Sequence, residues 1–168
     1  MNPELSKVPV FYHKYIKLVG SDDLVIAFKK HQEFISFLND IKEHLWDFKY
    51  APDKWSIKEV AQHIIDAERV FCYRALTFSR KDSGPLPGFD ENKFTAHSNA
   101  GKRTKKDLME ELEAVQKASI YLFNSFDEEQ LNNEGVANGN PIQVKAIGFI
   151  IVGHTLHHQN ILRDRYLQ

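Results

Sequence analysis

The chain has 168 residues and a mass of 19.5 kDa, long enough to bury roughly 70% of its unfolded surface in one core, so a single domain over 1–168 is expected. Hydrophobic residues make up 42% and charged residues 27%, a globular composition that excludes disorder. A formal net charge of -1, from 22 basic and 23 acidic residues, excludes a basic footprint for nucleic acid, and a single cysteine, Cys72, excludes an internal disulfide.

The first residues, Met1 to Lys7, lack the continuous apolar core of a secretory signal. The longest apolar run, residues 146–153, is too short for a bilayer. A cytoplasmic protein without membrane partners is expected. The first long helix is predicted from Ser21 as N-cap, with Asp22 and Asp23 in its first turn, where the helix dipole favours acids. Leu24, Ala27, Phe28, Phe34, Ile35, Leu38, Ile41 and Leu45 follow at helical spacing, and the helix is expected to end before Pro52. The second opens on a capping box, Ser56-Ile-Lys-Glu59, in which each side chain satisfies a backbone donor of the other residue. It continues through Val60, Ala61, Ile64, Ala67, Phe71, Ala75 and Phe78 to Arg80. Trp55, just before the box, is placed for a hydrophobic staple, and Cys72 for a small buried hydrophobe.

Residues 81–101 form a long connection containing Gly84-Pro85-Leu86-Pro87-Gly88. A connection of this length is expected to cross the bundle and to border a functional site. The third helix is predicted from Thr104, with Asp107 three residues on and Leu108, Leu112, Val115 and Leu122 as its stripe. A short turn at Asp127 to Gln130 follows. Asn138-Gly139-Asn140-Pro141 reads as a turn with Asn140 as N-cap and Pro141 in the first helical position of a fourth helix, which runs to Tyr166. Residues 146–153 are apolar on every side, which predicts burial on every side. Cover by a second subunit, in a two-fold homodimer, is the expected means. Four long helices and almost no strand predict an all-α four-helix bundle.

There are eight histidines. His154 and His158 lie four apart on the fourth helix, so 100° per residue brings both imidazoles to one face, one turn apart. His154 shares its stripe with Ile147, Ile150, Ile151 and Ile161 and therefore points inward. A buried imidazole must satisfy both ring nitrogens, and a metal ion would do so for two of them in one apolar layer. A third ligand would complete a site that keeps a coordination position open. His31, His44, His63 and His157 are the candidates. His157 is 100° away from His158, His44 and His13 read as surface residues, and His97 lies in the long connection. His63 and His31 both sit on apolar stripes. Glu59 and Asp66, one turn either side of His63, favour it, because carboxylates behind a ligating imidazole fix its tautomer. Asp66, Glu68, Arg69 and Arg74 form a dense charge pattern. It reads either as a solvated face with local ion pairs or as a source of carboxylate support for His63. No Ser–His–Asp order, phosphate loop or dinucleotide fingerprint is present.

The run from Lys54 to Arg69, with Trp55, His63, Asp66 and Glu68, followed by Tyr73-Arg74-Ala75-Leu76, resembles the DinB/YfiT-like family of metal-binding four-helix proteins. Pro87-Gly-Phe-Asp-Glu-Asn92 and Gly153-His154-Thr-Leu-His157-His158-Gln-Asn-Ile-Leu162 resemble the same family. The resemblance implies an up-down-down-up bundle with a long crossover between the second and third helices. It further implies a metal triad of His63, His154 and His158, and a homodimer. Relatives include enzymes that transfer or isomerise groups on small thiols, and others called metal-dependent hydrolases by analogy. The implied function is therefore hydrolase or small-thiol-dependent transferase chemistry, with a thiol conjugate as one substrate class. Neutral imidazoles suit divalent Zn, Ni, Fe and Cu alike. A non-catalytic metal- or ligand-binding dimeric module is the alternative, and a structural dimer with a metal-free histidine cluster is a third reading.

Overall fold

The computed structural model describes residues 3–21 and 23–168. In chain order the elements are α1 (His13–Val19), α2 (Leu24–Asp40), α3 (Ile57–Ser79), α4 (Glu91–His97), α5 (Lys105–Asn124), α6 (Glu128–Asn132), β1 (Glu134–Ala137), β2 (Asn140–Gln143) and α7 (Val144–Arg165). The four long helices α2, α3, α5 and α7 form the bundle. Each packs on two others: α2 on α5 and α7, and α3 on α5 and α7, so α2 lies diagonal to α3 and α5 diagonal to α7.

Cross-helix contacts give the directions. Arg103, just before α5, reaches Gln62, while Arg69 reaches Glu111 and Cys72 reaches Ser119, so α3 and α5 run the same way. Leu24 meets Gly148 and Phe37 meets Arg163, so α2 and α7 are parallel too. Lys105 bonds the carbonyls of Asn39 and Ile41, and Gln116 that of His31, which sets α2 against α5. The bundle is therefore up-down-down-up, with residues 80–104 as its crossover.

The sequence expectations need four adjustments. The N-cap of α2 is Asp23, which accepts from the backbone N–H groups of Val25 and Ile26 at 2.7 and 3.1 Å; Ser21 instead accepts from Asp23 N. Asp22 lies outside the described residues. That helix stops at Asp40, because Ile41 turns to extended backbone and into the core and Lys105 takes the terminal carbonyls, leaving Leu45 in a separate 3₁₀ turn. Asn140 and Pro141 do not open the fourth helix. They lie in β2, which pairs antiparallel with β1 in register Glu134 to Gln143. Asn138 and Gly139 have φ of 51° and 71°, the left-handed pair that a two-residue hairpin turn requires, so the helix starts at Val144. The crossover, finally, is not structureless: it contains α4 and a 3₁₀ turn at Ala100–Lys102.

Residues 146–153 are all buried, as their pattern predicts, but the cover comes from within the chain. Short α1 lies along α7, which also packs on α2 and α3. The approach is close at Gly153, where a Cβ would fall 2.1 Å from the Tyr15 carbonyl oxygen. The apolar circumference of α7 thus requires no second subunit.

Buried apolar residues separate into two clusters. One gathers Phe28, Phe71, Phe78, Phe123 and Phe149; the other Phe34, Trp46, Leu108, Leu112 and Leu162. Between them, along every long helix, lies a belt of buried polar residues: His31 on α2, His63 and Glu68 on α3, Gln116 on α5, His154 and His158 on α7. Polar groups buried between two apolar layers must find partners inside the bundle.

Candidate metal centre

Helix α3 is pinned at its start by the predicted capping box. Ser56 Oγ accepts from Glu59 N at 3.2 Å, and Glu59 Oε2 accepts from Ser56 N at 2.7 Å. This places His63 two turns into α3, facing α7. There it meets His154 and His158. His63 Nε2 lies 3.0 Å from His154 Nε2, and His158 Nε2 lies 3.1 Å from the same atom. The three residues are 5%, 7% and 9% exposed. Among the described residues they form the group of metal-ligating side chains whose donor atoms converge, all within 4.8 Å of one another.

Burial determines their charge. Desolvation pushes His63 down to about 4. It holds His154 and His158 well below the ordinary histidine value, with the neighbouring imidazoles adding repulsion against any charge. All three rings are neutral at pH 7 and carry lone pairs. A single Nε2 offers either one hydrogen or one lone pair, so His154 cannot satisfy both neighbours well by hydrogen bonding alone. Aromatic edges brace the rings: Trp55 on His63 at 4.8 Å between centroids, and Tyr15 on His154 at 5.4 Å. Trp55, expected as a staple, therefore also packs on the site.

The other candidates are placed elsewhere. His31 is fully buried, but its Nε2 lies 3.0 Å from Glu68 Oε2, away from the cluster. His157 is half-buried against Tyr15, His44 and His97 are exposed, and half-buried His13 reaches the Val8 carbonyl. Glu59 spends its carboxylate on Ser56 N and on Lys49 Nζ at 2.9 Å. Asp66 accepts from Gln62 at 2.9 Å. Among the described residues neither carboxylate is hydrogen-bonded to His63, because each faces sideways along α3 toward its own partner. The dense charge pattern of α3 is not one solvated face. Arg69 pairs with Glu111 at the surface, whereas Glu68 and Arg74 turn inward. Cys72 donates to Ser119 Oγ at 3.1 Å, and burial pushes its thiol up to about 12, which makes it an inert packing residue.

Sequence comparison adds one decisive match: the DinB superfamily profile aligns with residues 29–162. The chain belongs to the DinB superfamily. No curated protein matches it in sequence. Its fold is shared with two proteins of Bacillus subtilis. YfiT, described as a probable metal-dependent hydrolase with an unusual four-helix bundle topology, is 14% identical, with a TM-score of 0.71 over 97% of this chain and 92% of YfiT. The DinB-like protein YjoA is 18% identical, with a TM-score of 0.60 over 83% of this chain and 86% of that one.

In this DinB-superfamily chain two openings reach the histidines. A cavity of about 170 Å³ is lined by His63 and His154 together with Tyr12, Tyr15, Phe71 and Phe89. A second, of about 230 Å³, touches His158 from the side of Trp55, Tyr50 and Tyr166. The crossover borders both, through Phe89 and Glu91 on one and Asn92 on the other, as its length predicts. The sequence reading missed α1, which brings Tyr12 and Tyr15 to the wall. Ile16 and Val19 at helical spacing before Gly20, which caps α1 with φ 60°, are the signal that could have found it. Both tyrosines are pushed up from their ordinary value by burial, and both remain phenols at neutral pH. Among the described residues no helix is long and apolar enough to cross a membrane.

Proposed function

We propose that the protein is a metal-dependent enzyme that holds one divalent transition ion through His63, His154 and His158 and acts on a small molecule by hydrolysis or thiol-dependent group transfer. The convergence of three Nε2 atoms, at 3.0 and 3.1 Å from the central one, carries this reading. Three uncharged rings can all turn lone pairs to one cation, which resolves the hydrogen-bonding conflict at His154. The all-imidazole donor set suits Zn, Ni, Fe and Cu, and three protein ligands are the number that keeps a position for a reacting group. Bound there, such an ion supplies Lewis acidity to the reacting group.

The remaining work falls to the chain itself. Burial keeps the imidazoles unprotonated, and therefore ligating, at neutral pH. Phe71 and Phe89 keep water from one wall of the cavity, and the hydroxyls of Tyr12 and Tyr15 are hydrogen-bond donors on it. The fold shared with YfiT supports the hydrolytic half of the reading; the resemblance to small-thiol enzymes supports the other half. A homodimer belongs to the reading through that resemblance alone. Sedimentation tests it: twice 19.5 kDa supports it and a monomer removes it.

Elemental analysis of the purified protein, followed by chromogenic esters, amides and thiol conjugates with and without a chelator, tests the function. Bound metal with turnover that chelation abolishes is the expected outcome. Bound metal without turnover of any of these substrates establishes the second reading, a non-catalytic binding module. That reading is favoured by one observation, the engagement of both Glu59 and Asp66 away from His63.

A further inference from the structure

Arg74 is a buried cation with no ion-pair partner among the described residues. It is 4% exposed. Its Nη2 donates to the Pro87 carbonyl at 3.0 Å, and its guanidinium lies 5.7 Å from the Phe71 ring and 6.0 Å from the Phe89 ring. The Tyr12 hydroxyl also feels its charge, which opposes the upward push of burial on that phenol. Each of these partners is neutral. Among the described residues no carboxylate comes within ion-pair distance, whereas Arg69 and Arg103 both meet Glu111. A clamp on the Pro87 carbonyl needs only one N–H, which an uncharged side chain could supply. A permanent charge held away from water without a counter-ion is costly and calls for a compensating ligand.

The position of Arg74 gives the compensation a place. It lines the same cavity of about 170 Å³ as His63 and His154. Lys14 adds a second cation to the wall. Glu91 is the acidic residue there; it is exposed and not paired with Arg74. The volume is below the roughly 300–1,000 Å³ of pockets for drug-sized ligands. A planar guanidinium matches a carboxylate in two parallel hydrogen bonds. The flanking aromatic rings accept an apolar body.

We infer that Arg74 is a substrate-binding residue for a carboxylate: the substrate is a small organic anion whose carboxylate pairs with Arg74 while its body packs on Phe71 and Phe89 beside His63 and His154. The inference rests on reading this cavity as the substrate site of the proposed metal enzyme. It names the charge and size of the substrate, which that reading leaves open.

Isothermal titration with 3-phenylpropionate and its uncharged amide, 3-phenylpropanamide, tests it on metal-loaded and chelated protein. The carboxylate is expected to bind about tenfold or more tighter than the amide in both forms, the size of one charge-assisted hydrogen-bond pair. Arg74→Gln is expected to bring the ratio near unity with the amide affinity unchanged, and Arg74→Lys to keep part of it. Equal affinities in the wild type, binding of neither probe at millimolar concentration, or a preference that survives in Arg74→Gln would each overturn the inference. The wild-type comparison and Arg74→Lys decide the matter if Arg74→Gln fails to fold. A protein that takes up no metal but keeps the carboxylate preference would sink the metal reading and leave the anion site standing.

Discussion

His31 and His154 both sit in the polar belt between the two apolar clusters, yet their ring nitrogens meet opposite kinds of partner. His31 Nε2 faces a carboxylate, Glu68, at 3.0 Å. His154 Nε2 faces two further imidazoles at 3.0 and 3.1 Å. An imidazole against a carboxylate matches a donor to an acceptor and calls for no cation. Three imidazoles against one another are donors in search of an acceptor. The first arrangement is structural and imperfect, since His31 Nδ1, Glu68 Oε1 and Gln116 Oε1 have no hydrogen-bond partner among the described residues. The second suits a cation. The same residue type in one layer of the fold thus takes different roles according to the charge of its neighbour.

The largest expected effect separates the two regions directly. His154→Ala removes the nitrogen that both others approach, and should weaken metal binding by about two orders of magnitude or more. His31→Ala should leave metal binding unchanged. Competition against a chromophoric chelator measures both, and the converse pattern would mean that the wrong histidine cluster has been assigned.

Stability should reverse that order. His31→Leu strands the Glu68 carboxylate in the core and is expected to cost about 3–5 kcal/mol in urea denaturation. The double variant His31→Leu with Glu68→Met should recover most of that loss, because an apolar pair replaces an incompletely satisfied polar one. A single variant as stable as the parent would show that the pair carries no weight.

Acid should act on the triad side. The folded-state value of His63, about 4, lies below the ordinary 6.5, so the unfolded chain binds more protons between these limits and stability rises with pH there. The chelated protein should therefore be at full strength above 6.5 and weaken as pH falls toward about 4. His63 alone would account for about 3 kcal/mol of that loss. Thermal melts across this range test the sign; a melting temperature independent of pH would contradict the neutral, buried assignment. The smallest effect belongs to the helix start. Ser56→Ala should cost about 1 kcal/mol in stability with metal affinity within a few-fold of the parent, because packing rather than the cap holds His63 against α7. A large loss of metal affinity would assign the cap a role in the site.

Local chemistry was readable wherever a motif is complete within one turn of chain. The Ser56–Glu59 box and the His154–His158 spacing need no other segment to be understood, since rotation per residue and side-chain reach decide them. The Asn138-Gly139 turn was equally local, but Pro141 after it also suits a helix start. The left-handed pair of residues decided for a hairpin.

Helical spacing alone does not separate His63 from His31, because both lie on apolar stripes; the flanking carboxylates and the family resemblance are what favour His63. The roles of the two histidines depend on helix order. α3 lies beside α7, so His63 meets His154 and His158, while Glu68 and Gln116 claim His31. Glu68 and Arg74 carry formal charge within a polar run, and charge alone predicts exposure; only the packing of α2 and the crossover over α3 buries them.

The sequence by itself determined four amphipathic helices, the caps Ser56 and Thr104, the superfamily and the pair of histidines on α7, because each is a short-range pattern of spacing or a motif. Tertiary structure alone decided that α1 covers α7 and that Glu68 and Gln116 engage His31. It also decided that Arg74 lines a cavity with no carboxylate paired to it among the described residues. These depend on which helices become neighbours, and that follows from burying the whole apolar surface at once rather than from any single segment.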